Sequence, residues 1–141
     1  RDAAEIHVLS LWLPLQDVDE RNSCLQVAPC RHGDGLYADY HDEETGFKGI
    51  SQEERDGLPR VSMPMRRGDA LCFTQRTPHR ALANRSDAVR WSMDLRYEAT
   101  DTATASGRQY GFIARSPSAP SQILSCGEWL DKWDGVPAGT Y

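Results

Sequence analysis

Apolar and polar positions alternate in short runs from the start of the chain to Glu98, and the first run is the densest. In "EIHVLSLWLPLQD" the alternation places Ile6, Val8 and Trp12 on one face and Leu9, Leu11, Leu13 and Leu15 on the other. A strand apolar on both faces is expected to be buried on both. "SCLQVAP" reads as a second strand. A charged, Gly-rich stretch from Arg31 to about Arg60 reads as one long loop insertion (31–60), the kind that in a small domain carries function or moves. Next come "RVSMPM", the turn "RRGD", "ALCFTQ", the break "RTP", "HRALAN", the turn "RSD" and "AVRWSMDLRYE". Short strands with turn chemistry between them predict an all-β sandwich or barrel. The tail changes character. "DTATASG" and "RSPSAPS" are small and polar, whereas "SQILSCGEWLDKWDG" spaces Ile123, Leu124, Leu130 and Trp133 as a helix would. That spacing predicts a short helix over 121–135 packed on the β core, with Ser121 as its cap and Gly127 working against it.

Composition narrows the possible partners. A chain of 141 residues is expected to make a single domain, 1–141, with a real core. Its net charge of −5 leaves its Lys and Arg residues scattered among acids, without the basic field that attracts a phosphate backbone, so no nucleic acid is expected as a partner. No apolar run approaches the roughly 18 residues of a membrane span, and no leader of basic then apolar residues opens the chain. The expectation is a cytoplasmic protein with no membrane partner. Cys24, Cys30, Cys72 and Cys126 form no CxxC pair and are expected to be buried free thiols.

Four histidines are present, His7, His32, His41 and His79, and a histidine by itself is more often a surface or satisfied core residue than a ligand. His79 has a context. If "HRALAN" and "AVRWSMDLRY" are the arms of a hairpin in which Asn84 pairs with Asp87, then Ala81 pairs with Arg90 and His79 with Ser92. His79 and Arg90 would be diagonal neighbours on one face, about 7 Å apart at Cβ, with Val89, Trp91, Met93 and Leu95 carrying the packing on the other. Such a pair facing the interior of a barrel could hold a metal and a carboxylate of one small molecule; the plainer possibility is a paired strand with a surface arginine.

At this point the chain resembles a known family. "LWLPLQDVDERNSCLQVAPCRHGDGL" is similar to the W-x-P-L-x-D, N-G-x-L and P-G-[ST]-H-x-x-G elements of the phytanoyl-CoA dioxygenase family. "RRGDALCFTQRTPHRALANRSDAVRWSMDLRY" is similar to that family's G-D, F, H, N and R elements, and "GRQYGFIARSPSAP" extends the likeness. The resemblance implies a double-stranded β-helix (jelly-roll, cupin-like) and an Fe(II)- and 2-oxoglutarate-dependent dioxygenase that uses O2 to hydroxylate a small-molecule substrate. It also implies that His79 is the distal iron ligand and that Arg90 grips the far carboxylate of 2-oxoglutarate. Two imidazoles and a carboxylate leave three sites on iron for 2-oxoglutarate and O2, and a guanidinium fork suits a bidentate carboxylate. Trp12 matches a tryptophan lining the co-substrate pocket in some members and is otherwise core. Ala81 stands where the family usually has a small hydroxyl residue, so that contact is lost or passes to Ser92.

The family's proximal His-x-Asp projects to a point just before Arg1. The expectation is therefore a C-terminal portion of the domain, incomplete at its N-terminus and by itself inactive. His32-Gly33-Asp34 has the right spelling but aligns with the later P-G-[ST]-H segment, where the histidine is structural. The departures are Cys30 and Arg31, in place of the family's Gly and Ser/Thr. The competing readings are a non-catalytic cupin-like binding module, a halogenase if the upstream aspartate is Gly or Ala, and a metal enzyme using His32, Asp34 and His79. The stretch 31–60, with Tyr37, Tyr40 and Phe47, would be the substrate cover in an oxygenase and a surface insertion otherwise.

Overall fold

A computed structural model describes residues 8–35, 37, 39–41, 48–99, 112–132 and 134. The chain divides into two compact units, Asp2–Glu98 and Ala99–Tyr141, the latter joined by Arg1. In the first unit the strands are β1 (Val8–Pro14), β2 (Leu25–Val27), β3 (Asp39–His41), β4 (Lys48–Ile50), β5 (Val61–Met63), β6 (Leu71–Thr74), β7 (His79–Ala81) and β8 (Ser92–Glu98), with helix α1 (Gln52–Asp56) between β4 and β5. They form two three-stranded antiparallel sheets, ordered β6-β1-β8 and β5-β2-β7, and the hairpin β3-β4. From β5 onward each successive strand joins the opposite sheet. That crossing is the jelly-roll winding of a double-stranded β-helix, the all-β fold the alternation predicts.

Register decides what each strand buries. Opposite Trp12 on β1 stand Leu71 of β6 and Asp94 of β8, so these side chains share the inner face. Trp12, only 2% exposed, clusters with Val18, Cys24 and Leu25, and Met65, Leu71, Phe73 and Leu82 pack against this core. At about 25 cal/mol per Å² of apolar surface, that cluster supplies most of the force closing the two sheets. The other face of β1 does not follow expectation. Leu9 and Leu15 are 43% and 47% exposed, and on β8 and the segment leading into it Val89, Trp91 and Met93 are exposed at 66%, 64% and 47%. The buried layer lies beneath Trp12, on the face those residues do not share.

Two further expectations change. The stretch read as one loop contains β3, β4 and α1. Ser51 caps α1 by accepting from the Glu54 backbone N–H, and Ser51-Gln52-Glu53-Glu54 spells that cap in the sequence. The side chain of Tyr40, and Phe47 altogether, lie outside the described residues. Of the four cysteines only Cys24 is buried; Cys30, Cys72 and Cys126 are free and exposed. Burial is also the main cause that raises the Cys24 thiol above its ordinary pKa.

In the second unit a 3-10 turn at Pro120–Gln122 precedes helix α2 (Cys126–Asp131), shorter than the predicted 121–135. Its cap is Ser125, not Ser121. The Ser125 hydroxyl accepts from the Glu128 N–H, and the Glu128 carboxylate accepts from the Ser125 N–H at 2.7 Å, a reciprocal capping box. Ile123, counted toward the helix by its spacing, instead bridges Ile113, and Trp129 packs on Phe112 at 5.7 Å between ring centroids. Trp133 lies outside the described residues. No helix among the described residues is long and apolar enough to cross a membrane.

Candidate functional site between the two sheets

The expected hairpin between β7 and β8 is not formed. β7 pairs with β2, matching His79 to Val27 and Ala81 to Leu25, whereas β8 pairs with β1, matching Ser92 to Pro14. The connecting turn is compatible with the divergence. Asn84 Oδ1 accepts from the Ser86 N–H and hydroxyl at 2.9 and 2.7 Å, and Asn84 Nδ2 donates to the Ala88 carbonyl at 2.7 Å. A turn that satisfies its own polar groups leaves the flanking backbones free to pair elsewhere. The Leu82 N–H finds the Cys24 carbonyl at 3.2 Å, and the Leu15 N–H finds the Trp91 carbonyl at 3.0 Å.

His79 and Arg90 nevertheless line one cavity of about 860 Å³, because their two sheets face each other. Its walls include Trp12, Leu25, Val27 and Phe73, and Ala81, Ser92 and Asp94 contribute to it as well. That volume lies in the range of small-molecule sites.

The His79 ring is held from two sides. Its Nδ1 lies 2.9 Å from the Thr77 carbonyl oxygen, and its ring centroid lies 4.6 Å from that of Phe73, the planes inclined at 54°. A carbonyl accepts but cannot donate, so Nδ1 is the donor to Thr77 and Nε2 is the nitrogen left to face a metal. Metal-binding histidines are oriented in this way.

Arg90 is held differently. Its guanidinium lies 5.4 Å from the centroid of the Trp12 ring, and Nη1 donates to Ser92 Oγ at 2.6 Å. Its Nε is buried and has no hydrogen-bond partner. An unpaired guanidinium N–H out of water is costly, and a carboxylate laid along the fork would satisfy it.

The alternative histidines go elsewhere. His32 and Asp34 are exposed, and Asp34 is engaged by Arg31 at 3.3 Å and by the Tyr37 hydroxyl at 2.9 Å. Desolvation and then this carboxylate hold the Tyr37 phenol above its ordinary pKa. His41 is exposed on β3, and His7 lies outside the described residues. Among the described residues no three His, Cys, Asp or Glu side chains are grouped to hold a metal ion, so His32, Asp34 and His79 do not form the site that their spelling suggested.

Asp94 also lines the cavity and escaped the sequence reading, although alternation from Ser92 would have found it. Phe73, the F of the family likeness, lines it too, a place the likeness alone did not assign.

Two substitutions at glycine positions of the family pattern stand out. Ser23, at the Gly of N-G-x-L, has φ 77°, and Cys30, at the Gly of P-G-[ST]-H, has φ 62°. The backbone keeps the left-handed conformation at both positions although the glycine is gone.

Comparison with known proteins returns the same all-β, cupin-like class of fold. The phytanoyl-CoA dioxygenase (PhyH) pattern matches residues 1–92, and this chain belongs to that family. It is 29% identical over 99 residues to "Phytanoyl-CoA dioxygenase, peroxisomal" of Rattus norvegicus, covering 67% of this chain and 29% of that protein. It is 32% identical over 89 residues to "Phytanoyl-CoA dioxygenase domain-containing protein 1" of Danio rerio, covering 59% of this chain and 30% of that one. The chain thus spans less than a third of the length of these relatives. Among solved structures it is similar to the nogalamycin-biosynthesis epimerase SnoN in complex with Fe3+, alpha ketoglutarate and nogalamycin RO (28% identity, TM-score 0.51, covering 66% of this chain and 36% of that one). It is also similar to the non-heme alpha ketoglutarate dependent carbocyclase SnoK (26% identity, TM-score 0.51, covering 80% and 46%).

Proposed function

We propose that this chain supplies the co-substrate half of an Fe(II)- and 2-oxoglutarate-dependent oxygenase acting on a small molecule. The observation that carries the reading is Arg90: a guanidinium stacked on Trp12, tied to Ser92 and left with a buried unpaired N–H, in the same cavity as a histidine whose Nε2 is free. His79 would bind iron through Nε2. Arg90 and Ser92 would hold the far carboxylate of 2-oxoglutarate, Ser92 taking the place of the hydroxyl missing at Ala81, and Trp12 would flank it. Among the described residues no group of three His, Cys, Asp or Glu side chains is assembled to complete such a site around His79. Iron and 2-oxoglutarate, when bound, supply the oxidising chemistry with O2 as oxidant and succinate and CO2 as by-products. The chain's own part is to orient the co-substrate, to neutralise its carboxylate and, through the apolar walls around Trp12 and Phe73, to keep water from it.

SnoN is an epimerase and SnoK a carbocyclase, so the same fold serves outcomes other than hydroxylation, and 2-oxoglutarate-dependent oxidation is the chemistry proposed for this chain. In the full-length protein, Arg90→Ala should weaken 2-oxoglutarate binding at least ~10-fold, the loss of one charge-assisted hydrogen bond. Calorimetric titration of the metal-loaded protein measures it. Unchanged affinity would remove Arg90, and with it this assignment.

A further inference from the structure

Phe73 and Trp12 stand on adjacent strands of one sheet. β1 pairs with β6 so that Phe73 is opposite Ser10 and Leu71 is opposite Trp12, which puts Trp12 and Phe73 on the same face one pair apart. Both belong to the packed interior, Trp12 within the core cluster and Phe73 against it. Each touches one of the two groups discussed above, Phe73 across the gap between the sheets and Trp12 from the strand beside the one Arg90 leads into. Phe73 on β6 meets His79, which belongs to the opposite sheet, at 4.6 Å. Trp12 on β1 meets the Arg90 guanidinium at 5.4 Å. Backbone pairing alone does not fix the span between His79 and Arg90, because no ladder joins β7 to β8.

We infer that Phe73 is a positioning residue: its ring sets the plane of the His79 imidazole and, through its place beside Trp12, the distance from that imidazole to Arg90. The inference rests on the oxygenase reading of His79 and Arg90. The physical need is plain. One end of a bidentate co-substrate must meet a metal at His79 while the other meets Arg90, and a misplacement of about 1 Å costs such a site on the order of 100-fold. The Thr77 carbonyl fixes one ring nitrogen but leaves the ring free to swing about that contact. A second contact on the ring restrains that swing, and the tilted Phe73 ring at 4.6 Å supplies one.

The test uses the full-length protein with Phe73→Leu and Phe73→Tyr, and Co(II) as the metal probe. Leucine fills much of the volume but offers no aromatic face, whereas tyrosine restores it. Phe73→Leu is expected to weaken Co(II) binding about 10-fold, within the range for groups that orient metal ligands, and Phe73→Tyr to return it to within twofold of the wild type. In the metal-free protein, NMR relaxation of the His79 ring should show a rigid imidazole in the wild type and Phe73→Tyr, and a mobile one in Phe73→Leu. If Phe73→Leu lowers only the melting temperature while the His79 spectrum and Co(II) affinity stay as in the wild type, the residue is core filler and the inference is wrong. His79→Ala separates the two levels. If it leaves Co(II) affinity unchanged, the oxygenase reading itself falls, whereas a His79-dependent site indifferent to Phe73 overturns only the positioning role.

Discussion

Cys30 and Ser23 hold the same left-handed backbone, and putting glycine back at each should have opposite effects on stability. A non-glycine residue in that region pays about 1–2 kcal/mol of steric cost. Glycine removes it but adds about 0.5–1 kcal/mol of unfolded-chain entropy. The Cys30 side chain is exposed and unbonded, so Cys30→Gly should stabilise the protein by about 0.5–1 kcal/mol. Ser23 is buried at 6% exposure, and its hydroxyl donates to the Leu82 carbonyl, part of the tie between the β7 end and the Ser23–Leu25 stretch. Ser23→Gly forfeits that bond, about 0.5–1.5 kcal/mol, and should come out neutral or destabilising. Cys30→Ala keeps the strain and removes only the thiol, so it should change stability little. Denaturant titration of the full-length protein and the three variants, read at constant m-value, measures all of this. A destabilised Cys30→Gly, or a Cys30→Ala that gains as much as the glycine, would mean that the backbone at residue 30 is not under the stated strain.

Two more outcomes are expected. With a thiol reagent at pH 8 under native conditions, Cys30, Cys72 and Cys126 should label quickly, and Cys24, buried and with its thiolate disfavoured, only on unfolding; rapid labelling of all four would place Cys24 at the surface. The Glu128 carboxyl is held below its ordinary pKa, first by the Ser125 hydroxyl and then by the Ser125 backbone N–H. A depressed folded-state pKa gives stability that is present above the unfolded value, near 4.3, and lost as pH falls through the folded one. Ser125→Ala should therefore cost about 1 kcal/mol at neutral pH, and its deficit relative to the wild type should shrink as the pH drops below 4; a deficit that does not change with pH would mean the capping box contributes nothing through Glu128.

How much was legible follows from what each signal encodes. Alternation marked the strands on either side of the 31–60 stretch because a period of two is local, and the all-β class follows from them, whereas β3 and β4 within that stretch were read as loop. Pairing is not local. Nothing in "HRALANRSDAVRWSMDLRY" says that its two arms leave for different sheets, since the polar groups of Asn84 and Ser86 that let the turn stand alone serve a hairpin equally well. The exposed leucine face of β1 was misjudged for a related reason, because alternation tells which residues share a face and not what covers it. The Ser51-x-x-Glu54 and Ser125-x-x-Glu128 caps were spelled out and missed beneath the charge and glycine around them. His79, Arg90 and Trp12 were singled out by likeness to the family rather than by geometry, and the hairpin argued for them does not exist. Phe73 was matched as part of the likeness but was given no role, because an apolar residue in an apolar strand does not say what it touches.

The separation of His79 and Arg90 onto facing sheets gives their eleven-residue spacing a different meaning. It is not a ruler laid along a ribbon but the slack of a tether crossing a gap, and the two ends are held by strands far away in the sequence. Lengthening the self-contained turn at Asn84 to Ala88 by a residue or two should be tolerated. A single-residue slip of β1 or β2 in its ladder would turn Trp12 or Leu25 out of the cavity and disable the site without touching either anchor. The part of this protein that an insertion can least afford to visit is therefore remote from the residues a reader would mark as its active site.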